Sequence, residues 1–451
     1  MPAQDVFQLS LDFLADRDVI VQSDSASLTS DAGLLVVRQL DQRVGFTRRF
    51  AECIRDDRLD PTHSTLSMVR QRLFGILAGY EDCNDHDRLR GDPVFKLLAR
   101  DRYLDDALAA QPSLSRFENA VDCDSLQRLI DFNIHTGIDM LRATHGGKLP
   151  DAITLDIDAT DDPAHGRQQL SLFHGYYDQH QYFPLVISEP TTRHVLLAWL
   201  RPGAVHASLG ADDDLTRVVT AVRTARPDVK VHVRGDCGFG LPVMYECCES
   251  LGVSYTFGIA TNERLKAIAQ PLLDRAVEQF NRTGRKQRLF MFIEGYRAES
   301  WDRDRRIVVK AECHEQGTNL RFVVTSLPCQ SDDEAERIYD DYVMRGESEH
   351  RMDELKNGLK MDRLSCRRFK ANFFRLLLHV AAMNLLNRLR RHEDVPQELR
   401  VARPQTWRDK LIKVAARVIV SVRRVVVSLS ANWPYRSYYE SIGRRVVAPG
   451  I

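Results

Sequence analysis

An α/β protein is expected from this sequence, with a β-rich insertion in its core, a helical region ahead of the core and a basic, mainly helical region behind it. Three observations predict this. Apolar residues recur at helical spacing from Asp31 to about His145. At 152–158 (AITLDID) the period changes to two, and further strand-like and helical runs alternate after it. From about 285 to 327 short strand-like runs interrupt the alternation, and helical spacing resumes near Asp332.

The leading helices are read from LLVVRQLDQRV, STLSMVRQRLFGILAGY and SLQRLIDFNIHTGIDMLRA, each with apolar positions at i, i+3 and i+4. In AITLDID, Ile153, Leu155 and Ile157 point one way and Thr154, Asp156 and Asp158 the other, so one strand face carries two carboxylates. The runs 182–188 and 194–200 flank the turn-like EPTTR, and a helix over 213–225 leads to VKVHVR at 229–234. That strand ends on Gly235-Asp236-Cys237-Gly238, a carboxylate at the strand terminus where α/β proteins gather their sites. The segments expected are 1–147 (mainly helical), 148–284 (core, first part), 285–330 (β-rich insertion), 331–395 (core, second part) and 396–451 (basic carboxyl-terminal region).

Composition narrows the class of protein. With 451 residues, 43% hydrophobic, 28% charged, 24 Gly and 17 Pro, the chain reads as globular, and disordered, collagenous and membrane classes drop out. Nine Cys without a C-x-x-C pair argue against a disulfide framework or a zinc ribbon and for a reducing cytoplasm. Residues 1–18 lack the apolar run of a signal or anchor, and 414–430 carries Arg417, Arg423 and Arg424, so no membrane span is expected. Net charge is zero, yet residues 351–451 hold 22 basic and 8 acidic residues. Such a concentration of cations suits a nucleic-acid surface and equally a solvated helix face. Arg367, Arg368, Lys370, Arg375, Arg388, Arg390 and Arg391 accompany an apolar stripe there and are candidates for tracking DNA. Walker, G-x-G-x-x-G, H-E-x-x-H and G-x-S-x-G patterns are absent, which leaves nucleotide hydrolysis, nicotinamide, zinc-protease and serine-hydrolase chemistry without motifs.

Beyond the insertion, Tyr342, Arg345, Glu349 and Lys356 fall within an arc of about 60° if 332–358 is one helix. A phenol, a guanidinium, a carboxylate and an ammonium group on one face suit a metal-bound phosphate, although charged helix faces are common. The spacing Tyr342-x2-Arg345-x3-Glu349-x6-Lys356 resembles the Tyr-Arg-Glu-Lys signature of bacterial insertion-sequence transposases of the DDE type. Asp158-Ala159-Thr160 resembles the D-x-T around the first acid of such enzymes, and Arg234 to Phe239 the segment carrying the second. LTSDAGLLVVRQLD at 28–41, SLSRFEN at 113–119 and DATDDPAHG at 158–166 extend the likeness, over nearly the whole chain, to the insertion-sequence thirteen-eighty group.

The resemblance implies a ribonuclease-H-like core with one acid on the first strand, one after the fourth and one on a later helix. It further implies Asp158, Asp236 and Glu349 as ligands of two Mg²⁺ (or Mn²⁺) ions, with Tyr342, Arg345 and Lys356 on DNA. Paired divalent ions suit phosphoryl transfer because bare carboxylates repel a phosphodiester. The implied activity is metal-dependent cleavage at terminal inverted repeats, bound by the helical region 1–147, and strand transfer to target DNA, by a homodimer bridging two ends and by a cut-and-paste route. A structure-selective nuclease or a non-catalytic DNA-binding relative are the alternatives. Asp156 rivals Asp158 because both share a strand face, while Asp161, Asp162 and His165 read as turn and capping residues. Trp301 resembles the tryptophan that stacks on a flipped base in hairpin-forming relatives, and a half-buried packing role is the competing reading. Arg303, Arg305 and Arg306 are candidates for phosphate contacts on the same grounds.

Overall fold

The computed structural model describes residues 8–11, 19–22, 27–102, 105–391 and 395–447. Most of residues 1–18, on which the absence of a leader was read, lies outside the described residues.

Eight strands form one mixed sheet: β1 (Ala152–Ala159), β2 (Leu185–Glu189), β3 (His194–Trp199), β4 (Lys230–Gly235), β5 (Ser254–Gly258), β6 (Gln287–Tyr296), β7 (Arg305–His314) and β8 (Gly317–Thr325). Their spatial order is β6-β7-β8-β5-β4-β1-β2-β3. Strands β1, β2 and β3 pair antiparallel, whereas β4 runs parallel to β1 and β5 parallel to β4. The expected order of strand, strand, strand, helix, strand is thus present, and its first five strands lie side by side as 3-2-1-4-5.

The β-rich insertion is not a separate module. Strand β8 pairs antiparallel with β5 and carries β7 and β6 with it, so 287–325 lengthens the core sheet. Residues buried on β7, such as Ile307 and Val309, join the same hydrophobic core as β1 and β4.

Labelled helices are α1 (Leu34–Val44), α2 (Phe46–Glu52), α3 (Thr65–Ala78), α4 (Pro93–Ala99), α5 (Gln111–Ala120), α6 (Cys123–Thr144), α7 (Ala211–Ala225), α8 (Pro242–Ser250), α9 (Glu263–Thr283), α10 (Asp332–Val343), α11 (Gly346–Asp353), α12 (Phe369–Arg390) and α13 (Arg436–Val447). Their starts follow local rules: Ser64, Asp92, Asp122, Asn262 and Ser331 each accept a first-turn backbone N–H in their side chain. Helix α12 is buried on nearly every residue and lies between the sheet edge and the amino-terminal helices. Its asparagines satisfy strand backbone: Asn384 bonds the N–H and C=O of Val195 (3.0 and 2.9 Å), and Asn387 donates to the Arg193 carbonyl (2.7 Å).

The carboxyl-terminal region departs from the helical expectation. Ala416–Val420 and Val425–Leu429 form a β-hairpin, and its first strand pairs with Leu28–Thr29. Along the first strand Ala416 and Val418 are buried and Arg417 and Ile419 exposed, a period-two pattern that the arginines at 417, 423 and 424 obscured in the sequence.

Candidate active site

Register sets the first two acids together. Arg234 pairs with Asp156 and Gly235 with Ile157 across the parallel β4–β1 ladder. One step further along both chains, Asp158 and Asp236 lie at neighbouring strand ends. Asp158 is held by hydrogen bonds from the Ser348 hydroxyl (3.0 Å) and the Ala159 N–H (2.9 Å), while Asp236 accepts from the Gly238 N–H (2.9 Å). Burial, then the charge of Asp236, pushes the Asp158 carboxyl up to about 6 in spite of the nearby Arg345.

Asp156 is spoken for. Fully buried, it pairs with Arg234 (2.8 Å) and with Arg351, which also donates to Ser188. Two arginines engage its charge, so it is an internal tie between β1, β4 and α11, whereas Asp158 has no ion pair among the described residues.

The segment 332–358 is not one straight helix. It breaks at Met344–Arg345 between α10 and α11, and Glu354–Gly358 winds as a π-helical turn. Its four signature residues make separate contacts. The Tyr342 hydroxyl lies over Gly258 at the end of β5, where an added Cβ would come within 2.7 Å of it. Arg345 stands over the Tyr342 ring at 5.7 Å. Burial opposes its charge, but Tyr342, Asp158, Asp236 and Glu349 keep its pKa raised, and its Nε has no partner among the described residues. Glu349, 68% exposed at its side chain, reaches Arg345 at 3.3 Å rather than the two aspartates. Lys356 leaves the π-helical turn toward the loop after β1, bonding Asp161 (2.8 Å) and Thr160 (3.4 Å).

The structure therefore sets Asp158, Asp236 and Arg345 near one another, pairs Glu349 with Arg345, and sets Lys356 on Asp161. Among the described residues no group of three His, Cys, Asp or Glu is disposed to hold a metal ion. In donor chemistry the set fits Mg²⁺ or Mn²⁺, since its ligands are hard carboxylate oxygens and Asp158 and Asp236 repel each other without a cation. The Arg345 guanidinium supplies that positive charge here.

Trp301 has no face open to a base. It is 5% exposed, edge-on to Tyr245 (5.3 Å) and Tyr296 (5.6 Å), with Arg305 over its ring at 5.6 Å. Nearby cations are also engaged internally: Arg303 pairs with Asp302 (2.8 Å), Arg305 with Glu249 (2.8 Å), and Arg306 with Glu294 (2.6 Å). The carboxyl-terminal cations divide. Arg375 and Arg390 are buried on Glu118 (2.6 Å) and Glu354 (2.9 Å), whereas Arg367, Arg368 and Lys370 are exposed. Asp162, read as a turn residue, is fully buried with neither carboxylate oxygen partnered; burial and then Asp362 raise its pKa well above the usual range. His165 instead bonds the Asp362 carbonyl (2.6 Å).

Two neighbours of the acids escaped the sequence reading. Ser348 carries no motif, and only the fold reveals its bond to Asp158. Tyr177 lies near enough to Asp161, Asp158 and Asp236 for their charge to add to burial in raising its pKa. The aromatic run HGYYDQHQY was its available signal. Two concavities, about 860 Å³ among residues 142–151 and 225–226 and about 680 Å³ among residues 54–68 and 113–122, are lined by none of the three acids.

Paired acids at adjacent strand ends near an arginine form a site whose chemistry suits a phosphate ester. The chain belongs to the transposase DDE domain group 1 family, whose model matches residues 11–448. Among solved structures it is similar to one titled "Cryo-EM structure of piggyBac transposase synaptic complex with hairpin DNA (SNHP)", at 13% identity and a TM-score of 0.41, over 95% of this chain and 85% of that one. No curated protein matches the chain. Among the described residues no helix is long and apolar enough to cross a membrane.

Proposed function

We propose that this protein is an insertion-sequence transposase that cleaves DNA at terminal inverted repeats and joins the freed 3′-hydroxyl to target DNA, in the cytoplasm, by a cut-and-paste route and as a homodimer bridging two ends. The observation that carries the reading is the β1–β4 register, which sets Asp158 beside Asp236 and raises the Asp158 pKa. The 3-2-1-4-5 strand order, with an acid on its first strand and another after its fourth, supports a ribonuclease-H-like core.

Asp158, Asp236 and Glu349 would hold the divalent cations, Mg²⁺ or Mn²⁺. Such ions, when bound, lower the pKa of an attacking water or 3′-hydroxyl and offset charge on the leaving oxygen. Asp158 must give up its proton to serve, and Ser348 orients the oxygen it bonds. Glu349 must release Arg345 to join the aspartates. The freed guanidinium can then take a phosphate oxygen, beside the ammonium group of Lys356 on the same approach. Tyr342 restrains Arg345 through its ring. Trp301 is left out of this scheme because it is buried.

The test uses purified protein, Mg²⁺ and duplexes carrying the DNA that flanks its coding region. Cleavage at the repeat ends and joined products are expected, and Glu349→Gln should bind the same duplexes while cutting them at least about 100-fold more slowly, since even supporting residues of a metal site are worth 10- to 100-fold. Undiminished cutting by that variant would end the reading, and cutting without joining would reduce it to a nuclease.

A further inference from the structure

Among the described residues every exposed ring of Phe, Tyr or Trp lies on one hairpin: Phe173 (50%), Tyr176 (86%) and Tyr177 (36%). Its strands are Leu172–His174 and Gln179–Tyr182, joined across a tip where Asp178 takes a left-handed φ of 52°. Exposed aromatic surface of this extent is costly in water and marks a contact surface. The rings brace each other at the tip, with Tyr176 edge-on to Tyr177 at 5.0 Å and Phe173 edge-on to His180 at 5.7 Å.

The hairpin is firmly seated. Gly203 packs so closely beneath it that an added Cβ would lie 1.8 Å from the Gln181 carbonyl oxygen. Tyr182 donates to the Gln169 carbonyl (2.8 Å), the Gln169 N–H to the Arg367 carbonyl (2.9 Å), and Gln168 to the Cys366 carbonyl (2.9 Å). The base of the hairpin is thereby fixed to the segment that exposes Arg363, Arg367, Arg368 and Lys370. None of these four cations has a carboxylate partner among the described residues. On the other side, Gln179 of the hairpin donates to Asp161 (3.1 Å), three residues beyond Asp158 along the chain.

Aromatic faces beside unpaired cations, at the rim of an acidic phosphoryl-transfer site, are the chemistry of a single-stranded nucleic acid: rings stack on bases of any sequence while cations follow the phosphates. A protein partner would not require four unneutralised cations along the same edge. We propose that the Leu172–Tyr182 hairpin is a platform that stacks unpaired DNA bases beside the Asp158–Asp236 pair, with the strand's phosphates on Arg363, Arg367, Arg368 and Lys370. This rests on the transposase reading, and it adds that the strand at the site is opened.

The probe is a 20-base-pair duplex with a four-nucleotide single-stranded 3′ extension bearing 2-aminopurine, compared with the blunt duplex, both without divalent metal. Stacking should quench the probe on the wild-type protein. Tyr176→Ala, at a solvent-facing position, should relieve the quench and weaken extension binding about tenfold or more, with blunt-duplex binding unchanged. Tyr176→Trp should restore both. Arg367→Ala and Arg368→Ala should weaken both DNAs and lower the salt slope by about one per cation. An unquenched wild-type probe, or equal extension affinity in Tyr176→Ala, overturns the platform. So does a dimer that Tyr176→Ala dissociates without an effect on DNA. If the probe is quenched but no DNA is cut or joined in Mg²⁺, the transposase reading fails and the platform stands; the reverse pattern removes the platform alone.

Discussion

At the scale of single residues, Asp158 trades stability for readiness. Its pKa in the fold is about 6, against 3.8 for the free side chain. The folded protein therefore binds this proton more tightly than the unfolded chain, so the group costs stability increasingly as pH rises from about 4 to about 6, and the cost is complete above that. Asp158→Asn keeps the neutral shape and should raise stability by about 1–3 kcal/mol at pH 8, abolish cleavage, and show no gain at pH 4. Thermal unfolding at the two pH values reads this, and an unchanged or lower melting temperature at pH 8 counts against it. The same shift predicts that Mn²⁺ must displace a proton below about pH 6, so apparent affinity by calorimetry should fall about fivefold from pH 6 to pH 5. Affinity that stays level across that interval would mean Asp158 is no ligand. The order of strands in the sequence singled out Asp158 and Asp236, but the ion pair that sets Asp156 apart from Asp158 was not legible there, because Arg351 lies 195 positions from Asp156 and on another element.

At the scale of elements, the informative departure is the broken segment from α10 to the π-helical turn. A straight helix aligns Tyr342, Arg345, Glu349 and Lys356 by angle alone. The actual path turns at Met344–Arg345, which aims Arg345 at the acids, and the π-helical turn carries Lys356 to Asp161. Neither feature has a Pro or Gly-rich cue strong enough to read from sequence. The SLSRFEN motif also gains a physical meaning here. Glu118 on α5 is fully buried between Arg72 of α3 (2.7 Å) and Arg375 of α12 (2.6 Å). Burial opposes its charge, yet the two arginines hold its pKa down to about 2, so its contribution is present above the usual carboxylate range and lost as pH falls toward 2. Glu118→Gln leaves two buried guanidinium groups uncompensated and should cost about 3–5 kcal/mol in chemical denaturation. A loss below about 1 kcal/mol would show that the triad is replaceable.

At the scale of the whole molecule, the segments read from composition turn out to interlock. Helical spacing correctly marked 31–145, but spacing is local and says nothing about what a helix packs against. The partner is α12, whose side chains are buried all round because α3, α5 and α6 cover one side and β3 the other. The chain ends are tied in the same way. Lys413 pairs with buried Asp31 (2.7 Å) over the Tyr80 ring, and the strand at 416–420 completes its ladder on Leu28–Thr29. Such long-range closure was invisible in a charge count that read 351–451 as an external basic surface, when Arg375 and Arg390 are internal ion pairs. A fragment spanning 27–147 should therefore lack a cooperative thermal transition and stay protease-sensitive when produced alone, since removing α12 uncovers the faces of α3, α5 and α6 packed on it, with Phe50 and Phe117 losing the Phe374 ring. Co-production with 148–451 should restore a folded, co-purifying pair. A cooperatively folded, monomeric 27–147 fragment would instead make the amino-terminal helices an independent DNA-end-binding domain docked on the core, and would move the unit of folding from the whole chain to its parts.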